Sequence, residues 1–500
     1  MLNPYSALKE QFQRIARLDH ALTFLQWDQL VMMPPGGNDT RSKSIAELTM
    51  MRHELLCSEV LGDLLQQAQE QENSDRTQSR SLLEMERSRR RAVSVPGDLV
   101  KAKSLAGSLC EHGWRKQRKQ NDWTGFLTTF TEVVNLSRQE AKARQAAAPD
   151  KFPTPYDALL DLYCTGDDSA FIQDIFTLLK KELPEILAQV DKQANEKKVE
   201  LLGSFPVEQQ KELNRKLMEL LGFDFQQGRL DVSLHPFSTG DRGDQRITTR
   251  FRETDFFQAL LATAHETGHA GYQNGLPAEW DGLPIGCSRN MSIHESQSLL
   301  FEKQLFLSKP FLSFFTPFIH QFLPQTGKWS SDQILSSATI VRPSLIRVEA
   351  DEVTYPLHII LRFEIEKELI NGTIEAADIP DLWDAKMQEY LGLSTKGNYR
   401  EGCLQDIHWT DGSFGYFPSY TVGALNAAQL FAAITRKFPD WSDRLKQGDV
   451  SFLRQWLDKM IWSKGSSLES QEIMEEATGE GTNAAYLLSH LRSRFLEDRQ

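Results

Sequence analysis

The chain has 500 residues, of which 40% are hydrophobic and 25% are charged, and its formal net charge at pH 7 is −13. These proportions are ordinary for a globular protein, and they exclude a disordered chain, a collagen-like fibre and a small disulfide scaffold. The acidic balance argues against a nucleic-acid partner, because such proteins usually present a basic face. The densest basic run, at residues 87–91, is expected to be a solvated helix face.

The cysteines and the apolar segments indicate the cellular compartment of the protein. The five cysteines are scattered and form no CxxC pair, which favours free thiols in a reducing compartment. The first residues lack a basic segment followed by an apolar one, so no secretory signal is expected. The most apolar stretch, at residues 311–323, is too short and too polar to span a bilayer. We therefore expect a cytoplasmic protein with no membrane partner.

Helical periodicity dominates the chain. Asn3 followed by Pro4 is typical of a helix start, and an amphipathic run continues from there towards Trp27. Proline and glycine interrupt the pattern at residues 33–37, 95–97 and 152–155. Further periodic stretches predict helices at about residues 44–71, 124–147, 169–194, 207–221, 293–306, 351–370, 424–437 and 482–496.

One region, between Gly228 and Phe251, breaks the helical pattern. Alternating apolar residues at 229–235 and β-branched residues at 246–251 flank a glycine-rich segment at 238–244, which predicts a β-hairpin. A small sheet in this place could hold an extended peptide.

No linker divides the chain convincingly. The sequence predicts one mostly α-helical unit over residues 1–500, with two lobes around a cleft and a small sheet near its middle. A helical N-terminal lobe, at about residues 1–200, is expected to cover the groove, and the catalytic core is expected at about residues 201–500.

Residues 265–269 read His-Glu-Thr-Gly-His within a helix-compatible stretch. The spacing i, i+4 places both imidazoles on one helix face, where together they can bind one metal ion. Glu266 lies beside them and can act as the general base on a water molecule. This pattern predicts a metal-dependent hydrolase.

A third metal ligand must come from outside this motif. The motif does not continue as in the metzincins, because Tyr272 and Gly275 stand where their glycine and third histidine would be. A carboxylate would complete a His₂Glu site. Glu295 is favoured by spacing, because it opens the next predicted helix. The downstream carboxylates that we considered are Glu279, Asp281, Glu295 and Glu302.

Six motifs, in this order, resemble those of the thermostable metallocarboxypeptidase family typified by carboxypeptidase Taq. The resemblance covers essentially the whole chain. The motifs are HPF at residues 235–237, DxRxT at 244–248, HExxH at 265–269, HES(G)Q at 294–297, IRxxAD at 346–351 and GxxQDxHW at 402–409.

The resemblance implies a mostly helical, neurolysin-like fold with a deep groove, and a homodimer. The small β-sheet predicted from the sequence pattern would lie beside the catalytic helix. It implies a zinc enzyme that releases single residues from peptide C-termini with broad specificity, and only poorly when the last residue is proline. It also implies that His265, His269 and Glu295 bind the metal ion and that Glu266 is catalytic. Co²⁺ could replace Zn²⁺ in such a site.

His408 and Tyr420 are candidate catalytic residues, because peptide hydrolysis needs a donor to the developing oxyanion. They flank a segment rich in glycine and aromatic residues, at 410–419, that could cover the substrate. Packing in the core is the alternative for both side chains.

A carboxypeptidase also needs a cation for the terminal carboxylate of its substrate, preferably an arginine. Arg347 is the first candidate, although the acids at residues 349–352 could instead make it a structural ion pair. Arg246 is the second, although it could be paired with Asp244. His235 could touch the substrate or brace the sheet, and Gln405 is a further candidate for substrate binding.

Two other functions remain open at this point. An endo-acting oligopeptidase of the neurolysin type would share the chemistry but lack the carboxylate anchor. A helical peptide-binding protein with a structural metal is the other alternative. A structural zinc ion normally has four protein ligands, and the position of Glu266 between the histidines, with no cysteine nearby, disfavours it.

Overall fold

The computed structural model describes residues 3–71, 75–194, 201–233 and 235–497. These residues form twenty α-helices and one three-stranded sheet. The first ten helices are α1 Pro4–Val31, α2 Asn38–Cys57, α3 Glu59–Glu70, α4 Arg76–Val93, α5 Gly97–Gln120, α6 Trp123–Ala147, α7 Pro155–Leu160, α8 Ser169–Ala194, α9 Val207–Leu220 and α10 Phe257–Gly275.

The second ten helices complete the chain. Two of them, α11 and α20, end in π-helical turns, at Leu300–Phe306 and Ser493–Glu497. None of the helices within the described ranges is both long and apolar enough to cross a membrane. Their bounds are α11 Met291–Leu299, α12 Lys309–Phe322, α13 Ser331–Ala338, α14 Tyr355–Asn371, α15 Ile379–Leu391, α16 Pro418–Lys437, α17 Trp441–Lys446, α18 Ser451–Met460, α19 Ser470–Thr478 and α20 Ala485–Arg492.

The predicted helix at 44–71 is in fact two helices. Ser58 has extended backbone angles, with φ −60° and ψ 142°, and its hydroxyl caps α3 by accepting a hydrogen bond from the Leu61 N–H. Helices α4 and α5 were not predicted. The buried face of α4 includes the polar residues Ser81, Glu84 and Arg87, and α5 buries only Gly107 and Cys110.

The sheet has the strand order β1-β3-β2, with β1 Gly228–Val232, β2 Phe237–Asp241 and β3 Asp244–Thr249. Strand β1 runs parallel to β3, whereas β2 runs antiparallel to it. The predicted hairpin was therefore wrong, because β3 pairs in a hairpin with β2, which lies in the segment expected to be the turn.

The tight connection at Arg242 and Gly243 explains this difference. Gly243 has φ 80°, which glycine adopts without strain, so the chain reverses between β2 and β3. Strand β1 is then left to pair on the other side of β3. Leu234, which the predicted hairpin included, lies outside the described residues.

The sheet lies against α10, as the sequence predicted. Ile247 of β3 is fully buried and packs with Met218 and with Ala270 of α10. Both β2 and β3 contact this helix. The expected mostly helical fold with a small sheet beside the catalytic helix is confirmed.

Two large apolar cores hold the helices together. One joins α5–α8 to α14–α16 and α20, and the other joins α9–α13 to α16–α19. Helix α16 serves both, with Val422 in the first core and Leu430 in the second. The predicted lobe boundary at residue 200 falls beside residues 195–200, which are outside the described part, and the division into lobes stays a prediction.

A buried cluster of charges ties α4 to the segment that precedes α11. Glu84 accepts hydrogen bonds from Arg87 (2.8 Å) and from Arg289 (2.9 Å), and Arg87 also donates to Glu469 (2.8 Å). Arg87 is only 6% exposed, so the expectation of a solvated face at 87–91 was wrong at this residue. Glu84, three residues earlier, and the distant Glu469 make its burial possible.

Glu469 should contribute to stability through this cluster. Burial alone would raise its pKa, but the charges of Arg289 and Arg87 lower the pKa of Glu469 to about 2. Because the folded-state pKa lies below the unfolded one, this contribution is complete above pH 4.5 and is lost as the pH falls towards 2.

We predict that Glu469→Gln lowers the free energy of unfolding at pH 7 by about 3 kcal/mol, because it leaves buried arginines undercompensated. The difference from wild type should shrink as the pH falls below 4.5. Urea unfolding at several pH values measures both effects. Glu475→Gln is the control, at an exposed position on helix α19, which Glu469 caps. An unchanged stability, or a deficit independent of pH, would contradict this account.

Candidate active site

Helices α10 and α11 bring the three expected metal ligands together. His265 Nε2 lies 3.7 Å from one carboxylate oxygen of Glu295, and His269 Nε2 lies 3.4 Å from the other. The three ligand atoms lie within 4.8 Å of one another. Two imidazole nitrogens and a carboxylate oxygen are a donor set typical of catalytic metal sites, so these residues fit a divalent cation.

Two further side chains orient the histidine rings. His265 Nδ1 lies 2.9 Å from Glu302, and His269 Nδ1 lies 2.6 Å from His294 Nδ1. These bonds occupy the far nitrogen of each ring and leave both Nε2 atoms facing Glu295, an arrangement that tunes metal sites. Glu302, considered from the sequence as a possible third ligand, instead supports His265.

Two glycines allow three helices to approach closely around Glu295. A Cβ on Gly268 of α10 would collide with the carbonyl oxygen of Gln297 in α11. A Cβ on Gly423 of α16 would lie 2.6 Å from the Cβ of Glu295. Helix α11 is therefore held between α10 and α16, and a larger residue at either glycine would displace it.

Glu266 lies beside the metal ligands and is 6% exposed. Burial raises the pKa of its carboxyl group, while the charges of His265 and His269 oppose that shift. A raised pKa suits a carboxylate that must take up and release a proton near neutral pH.

Arg347 lies in a short 3₁₀ turn and is 5% exposed. Its Nε and Nη2 donate to one oxygen of Asp406 at 3.0 and 2.8 Å, and its Nη1 donates to the Tyr355 hydroxyl at 2.7 Å. Its main-chain N–H donates to Gln405 Oε1 at 2.8 Å. Asp406, rather than the acids at 349–352, therefore holds the guanidinium.

His408 and Tyr420 lie together, with His408 Nε2 3.2 Å from the Tyr420 hydroxyl. Burial and the charge of Arg347 lower the pKa of His408 to about 4, so this imidazole is neutral at pH 7. Burial raises the pKa of Tyr420 well above its usual value, and the charge of nearby Glu295 adds to the effect. Tyr420 therefore keeps its proton and can donate a hydrogen bond.

The other two candidates lie on and beside the sheet. Arg246 pairs with Asp244 at 2.6 and 3.1 Å, and its guanidinium stacks over Phe24 and Trp27. The structure therefore contains the ion pair between Arg246 and Asp244 that the sequence suggested as an alternative to carboxylate binding. The exposed His235 lies before β2, and neither it nor Arg246 is hydrogen-bonded to the metal ligands within the described part of the chain.

Of three supporting residues, Glu302 was considered only as a metal ligand, and Asp406 and Tyr355 were missed. Glu302 follows Glu295 by two helical turns and so falls on the same face. Asp406 stands inside the last motif but was not singled out. Tyr355 carried no signal, because its part depends on a contact across the fold.

Comparison with known proteins agrees with this geometry. The family described as carboxypeptidase Taq (M32) metallopeptidase matches residues 7–495. The chain belongs to this family. It is therefore a metallocarboxypeptidase, and a divalent metal ion belongs to its chemistry.

Individual M32 relatives match over nearly their whole length. Thermostable carboxypeptidase 1 of Pyrococcus furiosus is 34% identical over 496 residues, which is 97% of each chain. The protein of the same name from Thermus thermophilus is 34% identical over 504 residues, or 98% of each. The solved structure of Trypanosoma cruzi metallocarboxypeptidase 1 superposes with a TM-score of 0.96 at 36% identity, covering 99% of this chain and 100% of that one.

We predict that Glu295→Ala weakens metal binding by at least 100-fold, because only two protein ligands remain. Glu302→Ala should have a smaller effect, on the order of 10- to 100-fold, because it only frees the His265 ring. Equilibrium dialysis with Zn²⁺ as the probe measures both, and Glu279→Ala, at an exposed position, is the control. Wild-type affinity in Glu295→Ala would show that the third ligand lies elsewhere.

Proposed function

We propose that this enzyme is a zinc-dependent carboxypeptidase that releases single amino acids from peptide C-termini with broad specificity. The observation that carries the proposal is the position of Tyr420 between two groups of side chains. Its helix packs on Glu295 through Gly423, and its ring centre lies 5.1 Å from the Arg347 guanidinium carbon. Tyr420, which is proposed to act at the scissile bond, therefore lies next to Arg347, which is proposed to bind the terminal carboxylate.

His265, His269 and Glu295 would hold the metal ion, and their His₂Glu composition supports zinc, with Co²⁺ as a substitute. When bound there, the cation polarises the scissile carbonyl and lowers the pKa of a water molecule. Glu266 takes a proton from the attacking water and delivers it to the leaving amine. Its burial supports this role, because the raised pKa makes the carboxylate a stronger base towards the attacking water.

His408 and Tyr420 are proposed to stabilise the developing oxyanion. Tyr420 carries a phenolic proton at neutral pH, and His408 is neutral, so each can donate without adding a full charge. Preorganised donors of this kind contribute about 3–4 kcal/mol to transition-state stabilisation.

Arg347 is proposed to bind the terminal carboxylate. A guanidinium has five N–H donors, and three are used by Asp406 and Tyr355, which leaves two for a ligand. Gln405 has all its polar atoms engaged with main-chain groups, so we infer that it supports the Arg347 turn. Arg246 is the second choice, because Asp244 already engages it, and His235 is retained as a possible peptide contact.

Specificity and assembly follow from the family resemblance. We propose poor release of C-terminal proline, since its ring fixes φ and removes the N–H of the scissile bond. We also propose a homodimer that acts on peptides in the cytoplasm, with no nucleic-acid or membrane partner. The five free cysteines support a reducing compartment, and the net charge of −13 disfavours nucleic acid.

We predict that Glu266→Gln keeps its metal and loses turnover, by a factor on the order of 10²–10⁴, because an amide cannot accept the proton. Metal analysis together with kcat on a free-acid peptide tests this. Glu279→Gln serves as the control. A variant with full metal content and near wild-type kcat would remove Glu266 from the mechanism.

We predict that Arg347→Ala lowers kcat/KM on free-acid peptides by about 30-fold to several thousand-fold, the cost of about 2–5 kcal/mol for truncating one partner of a buried pair. Asp406 keeps Arg362 as a partner, at 2.6 Å, which limits damage to the fold. The matching C-terminal amides, poor substrates already, should be affected much less.

Arg246→Ala is the comparison variant for this test. Equal losses on acid and amide peptides would make Arg347 a structural residue. If wild type cleaves both kinds of peptide alike, the exopeptidase proposal fails and an endo-acting peptidase takes its place.

A further inference from the structure

Glu366 of α14 is a fully buried carboxylate that accepts three hydrogen bonds. The Trp409 indole N–H donates to it at 2.6 Å, the Gly415 main-chain N–H at 2.9 Å, and the Tyr156 hydroxyl at 3.1 Å. Within the described part of the chain it forms no ion pair. Burial raises the pKa of Glu366 to about 7, although the three donors oppose the shift.

Two of the three donors belong to one loop, at residues 409–415. Trp409 directly follows His408, and Gly415 lies five residues before Tyr420. The loop is thus held near both ends, directly after His408 and five residues before Tyr420, the two side chains proposed to contact the oxyanion.

Gly415 shows how closely this loop is seated. It has φ 92°, and a Cβ there would lie 2.8 Å from the main-chain nitrogen of Leu160 in α7. The loop therefore lies against α7 on one side and against the Glu366 carboxylate on the other.

Burying a carboxylate that has no ion-pair partner costs folding free energy, and an apolar residue in its place would avoid that cost. Glu364, two residues earlier on α14, shows how a carboxylate in such a place is usually stabilised, namely by pairing with cations. It is bonded to Lys180, Lys386 and Tyr390, each at 2.6 Å. Glu366 instead accepts only neutral donors, so its contribution lies in the geometry that it imposes on them.

We propose that Glu366 is a positioning residue that fixes the loop 409–415 and thereby sets His408 and Tyr420 at the scissile carbonyl. The inference rests on the proposed function, because it assumes that these two side chains act on the substrate. It adds a residue of α14 that touches neither substrate nor metal.

Glu366→Gln tests the inference, because an amide turns its NH₂ group towards partners that are themselves donors. We expect kcat to fall at least 10-fold, with KM and metal content changed less than threefold. Glu364→Gln, a buried carboxylate on the same helix, should lower stability but leave kcat within twofold of wild type.

Hydrogen exchange gives a readout that does not depend on activity. In Glu366→Gln the main-chain amides of residues 409–416 should exchange faster than in wild type, and in Glu364→Gln they should not. Unchanged exchange in this segment overturns the proposal, as does faster exchange with wild-type kcat. If wild type itself hydrolyses no peptide, the proposed function fails, while the exchange data still report whether Glu366 holds the loop.

A second pair of variants covers the case in which Glu366→Gln does not fold. Trp409→Phe removes a donor that lies on the loop, and Tyr156→Phe removes the one that does not. We expect the first to lower kcat by severalfold and the second to leave it within twofold. The same loss in both variants, or none in Trp409→Phe, contradicts the proposal.

Discussion

The close approach of three helices at Glu295 is the constraint on which the rest of the structure depends. Helix α11 fits between α10 and α16 only because Gly268 and Gly423 present no side chain to it. Interiors are packed at crystal-like density, so these contacts leave no freedom for the helix to shift. The histidines and Glu266 on α10, Glu295 on α11 and Tyr420 on α16 are thereby set relative to one another by main-chain packing. The site is as rigid as the core around it, and α16 belongs to both large cores.

Compensation of buried charge is the second requirement. Glu302 pairs with Lys303 while it supports the His265 ring, Asp406 is shared by Arg347 and Arg362, and the cluster around Glu84 links α4 to the residues just before α11. In each case charged partners stabilise one another in the low-dielectric interior, and at least one contact joins distant parts of the chain. Glu366 differs, since all three of its hydrogen-bond donors are neutral, and two of them belong to the loop 409–415.

Local patterns could be predicted from the sequence, whereas contacts across the fold could not. The pair His265 and His269 follows from helical spacing alone, and the structure places both on one face of α10. Glu295 was favoured by spacing and became specific only through the family resemblance. The hairpin was assigned to the wrong strands because a two-residue turn at Gly243 was hidden inside a longer glycine-rich segment. Arg87 was expected in solvent because its acidic partners include Glu469, nearly four hundred residues away. The partner of Arg347 was sought in the neighbouring acids but is Asp406, on another segment.

The central claim is that one metal site removes one residue at a time from a free peptide C-terminus. A mass-spectrometric time course of a single long peptide tests it most directly, with the protein as purified, after chelation, and after Zn²⁺ is restored. We predict a ladder of products that shorten by single C-terminal residues, abolished by the chelator and recovered with metal. Internal fragments appearing from the start, or a ladder that persists without metal, would contradict it.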